Sequence, residues 1–210
     1  MRASLARFIL RVAAWLPLTF AVWYLAAPLL VWPVALLAEL FMKTAFGDLI
    51  RSVEQSGALL TFITSLKPAQ GTVPAGAARV VVEAESNVLL FSFGLPMLAA
   101  LILAAREPHL VRHLLVGYVV LLPFQTWSVV ADVLKNIVVL TPPAISAQTG
   151  FDSWQREVIV FAYQLGTLIL PTVVPAIVWV LMHRRFLENF AAQARDGTAQ
   201  PSAAGAERPR

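Results

Sequence analysis

Charged and amide side chains within long apolar stretches are the residues of this sequence best suited to chemistry. Asp132 and Lys135 are three residues apart, so a helix would place them on one face, where they can form an ion pair. Gln125 and Gln164 also lie in apolar stretches, where an amide can hydrogen-bond to a neighbouring helix. Ionisable groups at membrane depth are costly and often functional, whereas at the interface they cost little. An interfacial ion pair and a functional polar site are therefore both open interpretations.

His109 and His113 have the spacing of two metal ligands on one face of a helix. No third histidine lies nearby in the sequence, and the residues between the two include no glutamate of the kind that a metalloprotease helix carries. The chain has no cysteine, which excludes disulfides and thiolate chemistry, and it lacks a nucleophile elbow and a phosphate loop. We therefore predict no metal site, no cofactor and no catalytic residue.

The elements that hold these side chains are predicted from the composition, which is that of a membrane protein. Hydrophobic residues make up 59% of the chain, charged residues 13%, and the mean hydropathy is +0.73. A soluble domain carries roughly 25% charged residues. A helix needs about 20 apolar residues to cross the hydrocarbon core. The apolar segments predict four transmembrane helices, at about 12–38, 87–105, 114–133 and 158–182. The fold class is an all-α polytopic membrane protein.

Basic residues next to the predicted spans indicate the orientation in the membrane. They flank the first span, fill the short link between the second and third, and follow the fourth: Arg2, Arg7, Arg11, Arg106, Arg112, Arg184 and Arg185. Because cytoplasmic flanks are enriched in arginine and lysine, we expect both termini in the cytoplasm. The net charge of +4 reflects these flanks, and no basic surface interleaved with aromatic residues indicates nucleic-acid binding.

The connection 43–86, between the first two predicted spans, is expected to form a small extracytoplasmic β flap. Residues 57–66 are rich in β-branched and aromatic side chains, and residues 79–86 alternate between valine or alanine and glutamate. The loop 67–78 between them contains two prolines and two glycines. Two strands alone are marginal in water, so the apolar face needs the bundle rim, lipid or a partner protein to cover it. The tail 193–210 is predicted to be disordered.

Three stretches carry a family resemblance. They are residues 85–98 (ESNVLLFSFGLPML), residues 123–135 (PFQTWSVVADVLK) and the opening segment WLPL…WY…APLL within residues 15–30. Together they resemble the exosortase H-associated membrane proteins, small multi-span bacterial proteins encoded beside an exosortase. The resemblance implies an inner-membrane location. Exosortases resemble membrane-embedded transpeptidases that use a cysteine with arginine and histidine to process C-terminal sorting signals. A chain without cysteine cannot supply that nucleophile, so the resemblance implies a non-enzymatic accessory protein.

The partners implied are membrane lipids and an exosortase-type protein or its sorted substrate. Asn87 is expected to cap the second span, while Gly94 and Pro96 loosen its start. The flap is then a possible docking edge for an extended peptide, or else a cap on the bundle. The candidate partner or polar-site residues are Asn87, Gly94, Pro96, Gln125, Trp127, Asp132, Lys135 and Gln164.

Two other functions remain as alternatives. One is a small transporter or channel component with a polar path through Gln125, Asp132, Lys135 and Gln164. The other is a membrane enzyme, which would need the outer charges to converge in space; they are Asp132, Lys135, Asp152, Arg156 and Glu157.

Overall fold

The computed structural model of the protein describes residues 2–68, 82–106, 108–184 and 188. The helices and strands in chain order are α1 Arg2–Leu25, α2 Ala27–Phe46, β1 Ile50–Ser56, β2 Leu59–Thr64, β3 Glu83–Asn87, α3 Leu89–Ser92, α4 Gly94–Ala105, α5 Leu110–Lys135, α6 Pro143–Ser146, α7 Ser153–Gln164 and α8 Leu170–Met182. A π-helical turn over Asn136–Leu140 continues α5, and another over Leu165–Ile169 joins α7 to α8. The predicted tail 193–210 and most of the predicted loop and strand within 69–81 lie outside the described residues.

Within the described residues, four helices are long and apolar enough to cross a membrane, which confirms the predicted fold class. They are Leu5–Leu25, Ala27–Phe46, Leu110–Leu140 and Ser153–Met182, and a shorter apolar helix covers Leu89–Ala105. The predicted span 12–38 is divided between α1 and α2 at Ala26. Pro28 follows two residues later and has no N–H to donate, which accounts for a bend at this point.

The sheet is antiparallel with the strand order β1–β2–β3. The two predicted strands correspond to β2 and β3, which pair with Phe62 opposite Ala84, so the predicted antiparallel pair is confirmed. A third strand, β1, joins β2 through a two-residue turn in which Gly57 has a φ of +63°, a conformation that favours glycine. A register shift between Ile50 and Ser52 interrupts β1.

One apolar core lies between the sheet and the helices. The inner face of the sheet contributes Leu60, Phe62 and Ala84 to this core, and the facing residues are Val34, Ala38 and Met42 of α2 with Val129 and Val133 of α5. The outer face carries the exposed carboxylates Glu54, Glu83 and Glu85. The apolar face of the sheet is therefore covered by the protein's own helices.

A second core lies at the opposite end of the bundle, which we call the terminal end because α1 begins and α8 ends there. The Phe8 and Trp179 rings are 5.7 Å apart between centroids, and the rings of His113 and His183 are 5.2 Å apart. These contacts bring the start of α1, the start of α5 and the end of α8 together. Arg7, Arg112 and Arg184, one from each basic segment, therefore adjoin the same end of the bundle. Its cytoplasmic location stays a prediction.

Candidate functional site

The carboxylate of Asp132 joins the sheet to the helices. Asp132 is only 7% exposed. Its Oδ2 accepts a hydrogen bond from Ser86 Oγ at 2.8 Å, and its Oδ1 lies 3.0 Å from Lys135 Nζ. The Lys135 ammonium also lies 3.9 Å from the centroid of the Tyr163 ring, a cation–π contact. One ion pair thus connects β3, α5 and α7.

Position along α5 favours the interfacial interpretation of this ion pair. Asp132 follows Leu110, the first residue of α5, by 22 residues, so it lies about 33 Å along the helix, roughly one hydrocarbon thickness. Gln125 is 15 residues from the same start, about 22 Å, which places it within an apolar core that begins there. Asp132 and Lys135 therefore lie nearer than Gln125 to the far end of the candidate span Leu110–Leu140.

The backbone edge of β3 that faces away from β2 is already hydrogen-bonded near its middle. Backbone bonds from Thr64 to Val82 and from Val88 to Ala58 show that the even-numbered residues of β3 pair with β2. The odd-numbered residues consequently direct their backbone groups away from β2. The carbonyl oxygen of Glu85 is one of these groups, and it accepts a hydrogen bond from the side chain of Asn136 at 2.8 Å.

The other edge of the sheet carries features that oppose pairing with a further strand. β1 is interrupted by its bulge and presents the exposed charges of Arg51 and Glu54. Bulges and edge charges are common ways in which natural sheets avoid edge-to-edge pairing. The geometry of both edges favours the cap over the peptide-docking flap, which stays an untested prediction.

Gln125 and Gln164 lie in surroundings different from that of Asp132. Gln125 is 4% exposed, and its Oε1 has no hydrogen-bond partner among the described residues. Gln164 is exposed and lines a shallow cavity of about 300 Å³ together with Arg156 and Glu157. Within the described part of the chain, these amides and the ion pair therefore do not form one continuous polar path of the kind that the transporter alternative needs.

The outer charged residues that a membrane enzyme would need to bring together also lie in separate surroundings. Asp152 caps α7 by accepting a hydrogen bond from the backbone N–H of Gln155 at 2.7 Å. The guanidinium of Arg156 donates to the carbonyl oxygens of Phe151 at 3.2 Å and Val138 at 3.3 Å. None of these hydrogen bonds of Asp152 and Arg156 reaches Asp132.

The histidine pair of the sequence does not form in the structure. His109 is exposed, and His113 packs against the ring of His183 instead. No group of three or more histidine, aspartate or glutamate residues suited to a metal ion occurs among the described residues.

Three predicted residues lie where the sheet joins the short apolar helices. The Oδ1 of Asn87 accepts a hydrogen bond from the backbone N–H of Leu89 at 3.1 Å, at the start of α3. Gly94 and Pro96 are both buried in α4. A Cβ on Gly94 would lie 2.4 Å from the carbonyl oxygen of Pro171, so glycine is what permits α4 to approach α8 this closely. The structure gives Gly94 a packing role, and α3 and α4 are separated at Phe93, immediately before it; the expected loosening of the helix stays a prediction.

Sequence reasoning missed Ser86 and Ser128. Ser128 Oγ donates to the Gly166 carbonyl oxygen at 2.9 Å, where the π-helical turn contacts α5. A Cβ on Gly166 would lie 3.0 Å from Ser128, so the π-helical turn approaches α5 closely at this glycine. Strand alternation could have found Ser86, because it shares the apolar face of β3 with Ala84 and a polar group there needs a partner.

The two faces of α5 differ in polarity. Gln125, Ser128 and Asp132 are at i, i+3 and i+7, which places them on one buried face. The opposite face, which includes Thr126 and Trp127, lines an apolar groove of about 660 Å³ between α2, α5 and α7. The Trp127 side chain is 47% exposed beside this groove. The face with Gln125, Ser128 and Asp132 thus points into the protein, and the α5 residues that line the groove are apolar apart from Thr126.

The arrangement defines a polytopic helical membrane protein whose small sheet is bonded to the end of its longest helix. Residues 2–186 match the family described as exosortase H-associated membrane protein, and the chain belongs to this family. The resemblance identified in the sequence is thereby confirmed. No curated protein and no solved structure matches the chain.

Proposed function

We propose that this protein is a non-enzymatic accessory subunit of an exosortase-type protein-sorting system in the bacterial inner membrane, with both termini in the cytoplasm. The family supports the association with an exosortase. The carboxylate of Asp132 and the ammonium of Lys135, the best candidates for chemistry, are engaged in contacts that hold the sheet to the helices. The chain has no cysteine and cannot contribute the thiolate that a sorting transpeptidase uses.

The observation that carries the proposal is the apolar groove between α2, α5 and α7. Its lining includes the small side chains of Ala131 and Ala162 and the large ones of Phe41 and Trp127. Transmembrane helices associate through close packing at small residues, since lipid supplies little hydrophobic drive between them. A helix of the exosortase-type partner seated in this groove would contact all three walls at once. Partner docking is thus a physical role for the groove.

The absence of cysteine allows a site-specific test. Single cysteines placed at Phe41, Trp127 and Val158 in the groove can carry a thiol-linked photo-crosslinker, with Leu18 and Ile177 as controls outside it. The control side chains are 53% and 51% exposed, close to the 47% of Phe41 and Trp127, so accessibility is matched. With the full chain and an exosortase-type protein co-expressed in membranes, we expect capture of that protein from the groove positions. Equal capture from all positions, or capture of lipid alone from the groove, would refute the proposal.

A further inference from the structure

The amide of Gln125 is a buried polar group without a protein partner. Gln125 is 4% exposed, its Oε1 is enclosed, and no group among the described residues hydrogen-bonds to that oxygen. At about 22 Å along α5 the surroundings are apolar, where an unsatisfied carbonyl is costly. Such a group is normally satisfied by protein or by ordered water.

A cavity of about 10 Å³ lies beside this amide. Its polar lining comes from Gln125 and Ser128, and the remaining lining includes Gly94, Pro171 and Pro175. A space of this size is at the lower limit for one water molecule. The cavity is therefore too small for a lipid chain or an organic ligand.

A second acceptor is directed towards the same place. Pro175 has no backbone N–H, so the carbonyl of Pro171 lacks the donor that an α-helix normally supplies from four residues further on. That carbonyl oxygen points towards Gly94, since a Cβ added there would lie only 2.4 Å from it. Both Gly94 and Pro171 line the cavity. An unpartnered amide oxygen, and a carbonyl whose usual α-helical donor is removed by Pro175, thus adjoin one water-sized space.

Ser128 does not supply the missing donor. Its single hydroxyl proton is directed to the carbonyl oxygens of Gly166 and Phe124, both at 2.9 Å. The hydroxyl oxygen still has lone pairs and can accept a hydrogen bond. The cavity therefore suits a small molecule that can donate two hydrogen bonds.

We propose that this cavity binds one ordered water molecule, which donates one hydrogen bond to Gln125 Oε1 and one to the carbonyl oxygen of Pro171. The water replaces the backbone donor that Pro175 removes. It also connects α5 to α8 within the apolar part of the bundle. Ordered waters and π-helical adjustments are known means by which proline breaks are tolerated in membrane helices, and here a π-helical turn immediately precedes α8.

Water-edited solid-state NMR of the full chain in lipid bilayers, with glutamine and valine labelled by ¹⁵N, tests the proposal. We expect the side-chain amide of Gln125 to receive magnetisation from water much faster than a dry core residue such as Val129, which is fully buried. Loss of the signal in a Gln125→Met variant assigns the peak. Transfer to Gln125 as slow as to Val129 would overturn the proposal, because the amide would then be dry and satisfied in some other way.

Two proline variants test the second hydrogen bond. Pro175→Ala restores a backbone N–H that can reach the Pro171 carbonyl, so the water should lose one acceptor and transfer to Gln125 should slow. Pro17→Ala removes a proline from the interior of α1 and does not alter the cavity lining, so transfer should stay as in the parent chain. Equal transfer in the two variants would show that the Pro171 carbonyl does not hold the water.

Discussion

Removal of the Ser86 hydroxyl should loosen the sheet from the helices. Ser86 is buried, and its hydroxyl is 2.8 Å from the ionised oxygen that it bonds, Asp132 Oδ2. Hydrogen bonds to charged groups contribute about 1.5–3 kcal/mol. Ser86→Ala should therefore lower the free energy of unfolding by about that amount, which is roughly a 10- to 150-fold change in the folded-to-unfolded ratio.

A double-mutant cycle separates the bond itself from the general cost of each substitution. Asp132→Asn keeps the shape of the acceptor but removes its charge, and a charge-assisted hydrogen bond is about twice as strong as a neutral one. We therefore expect a coupling energy between Ser86→Ala and Asp132→Asn of about 1 kcal/mol. A coupling energy near zero would mean that the charge of Asp132 does not strengthen its hydrogen bond with Ser86.

The measurement is reversible unfolding in bicelles, followed by tryptophan fluorescence, with hydrogen exchange of the β3 amides as a local readout. The control is Glu39→Gln, which breaks the exposed ion pair between Glu39 and Lys43 on α2. Exposed pairs at this spacing contribute only about 0.3–0.5 kcal/mol. If Ser86→Ala destabilises the protein no more than this control, the buried network does not hold the sheet and the reasoning is refuted.

Three other substitutions probe contacts of the helices. Gly94→Ala should lower the free energy of unfolding by about 1–3 kcal/mol, because the new Cβ would overlap the carbonyl of Pro171. Gly117→Ala meets only a movable leucine methyl and should change it by less than about 1 kcal/mol, so equal losses in the bicelle titration would contradict this reasoning. Tyr118→Phe removes a 2.9 Å hydrogen bond to a carbonyl of α2 and should cost about 1 kcal/mol in the same titration, and no measurable loss would mean that the bond is not made. Arg156→Met should speed hydrogen exchange between α5 and α7, because the guanidinium bonds several carbonyl oxygens there; unchanged exchange would exclude that role.

The spans Leu110–Leu140 and Ser153–Met182 were predictable because lipid imposes a requirement on length and hydropathy that the sequence displays directly. The predicted span 87–105 instead forms the shorter apolar helices α3 and α4. The first span was harder to delimit. Its apolar run continues through residue 38, while the helix bends at Ala26 and then extends to Phe46. Backbone hydrogen bonds continue on both sides of Ala26, so no polar residues are needed there. The hydropathy of the sequence therefore does not change at this point.

The sheet was predictable only in part. β2 and β3 were indicated by β-branched residues and by alternation, whereas β1 reads IRSVEQS and is shifted in register after Ile50. A bulge adds one residue and so breaks the period of two on which strand prediction depends. The β1 strand therefore resembles a polar connection in the sequence.

The candidate site divides in the same way between local and distant contacts. The pairing of Asp132 with Lys135 follows from helical spacing alone and is present in the structure. The Ser86 hydroxyl that completes the carboxylate's contacts is 46 residues away, and the Tyr163 ring lies on a different helix. Such contacts depend on how the elements pack, which spacing within one element does not determine.

The two faces of α5 make one further outcome testable, because the helix is a wall shared by the groove and the sheet attachment. Asp132 bonds the sheet on one face, while Trp127 lines the groove on the opposite face. If a partner helix needs α5 held in place, Ser86→Ala should reduce photo-crosslinking from a cysteine at position 127, whereas Glu39→Gln should leave the yield unchanged. Faster hydrogen exchange in β3 without any drop in crosslinking would show that the groove binds its partner independently of the sheet. Reduced crosslinking in both variants would instead indicate a general loss of folded protein, which the unfolding measurements would already have revealed.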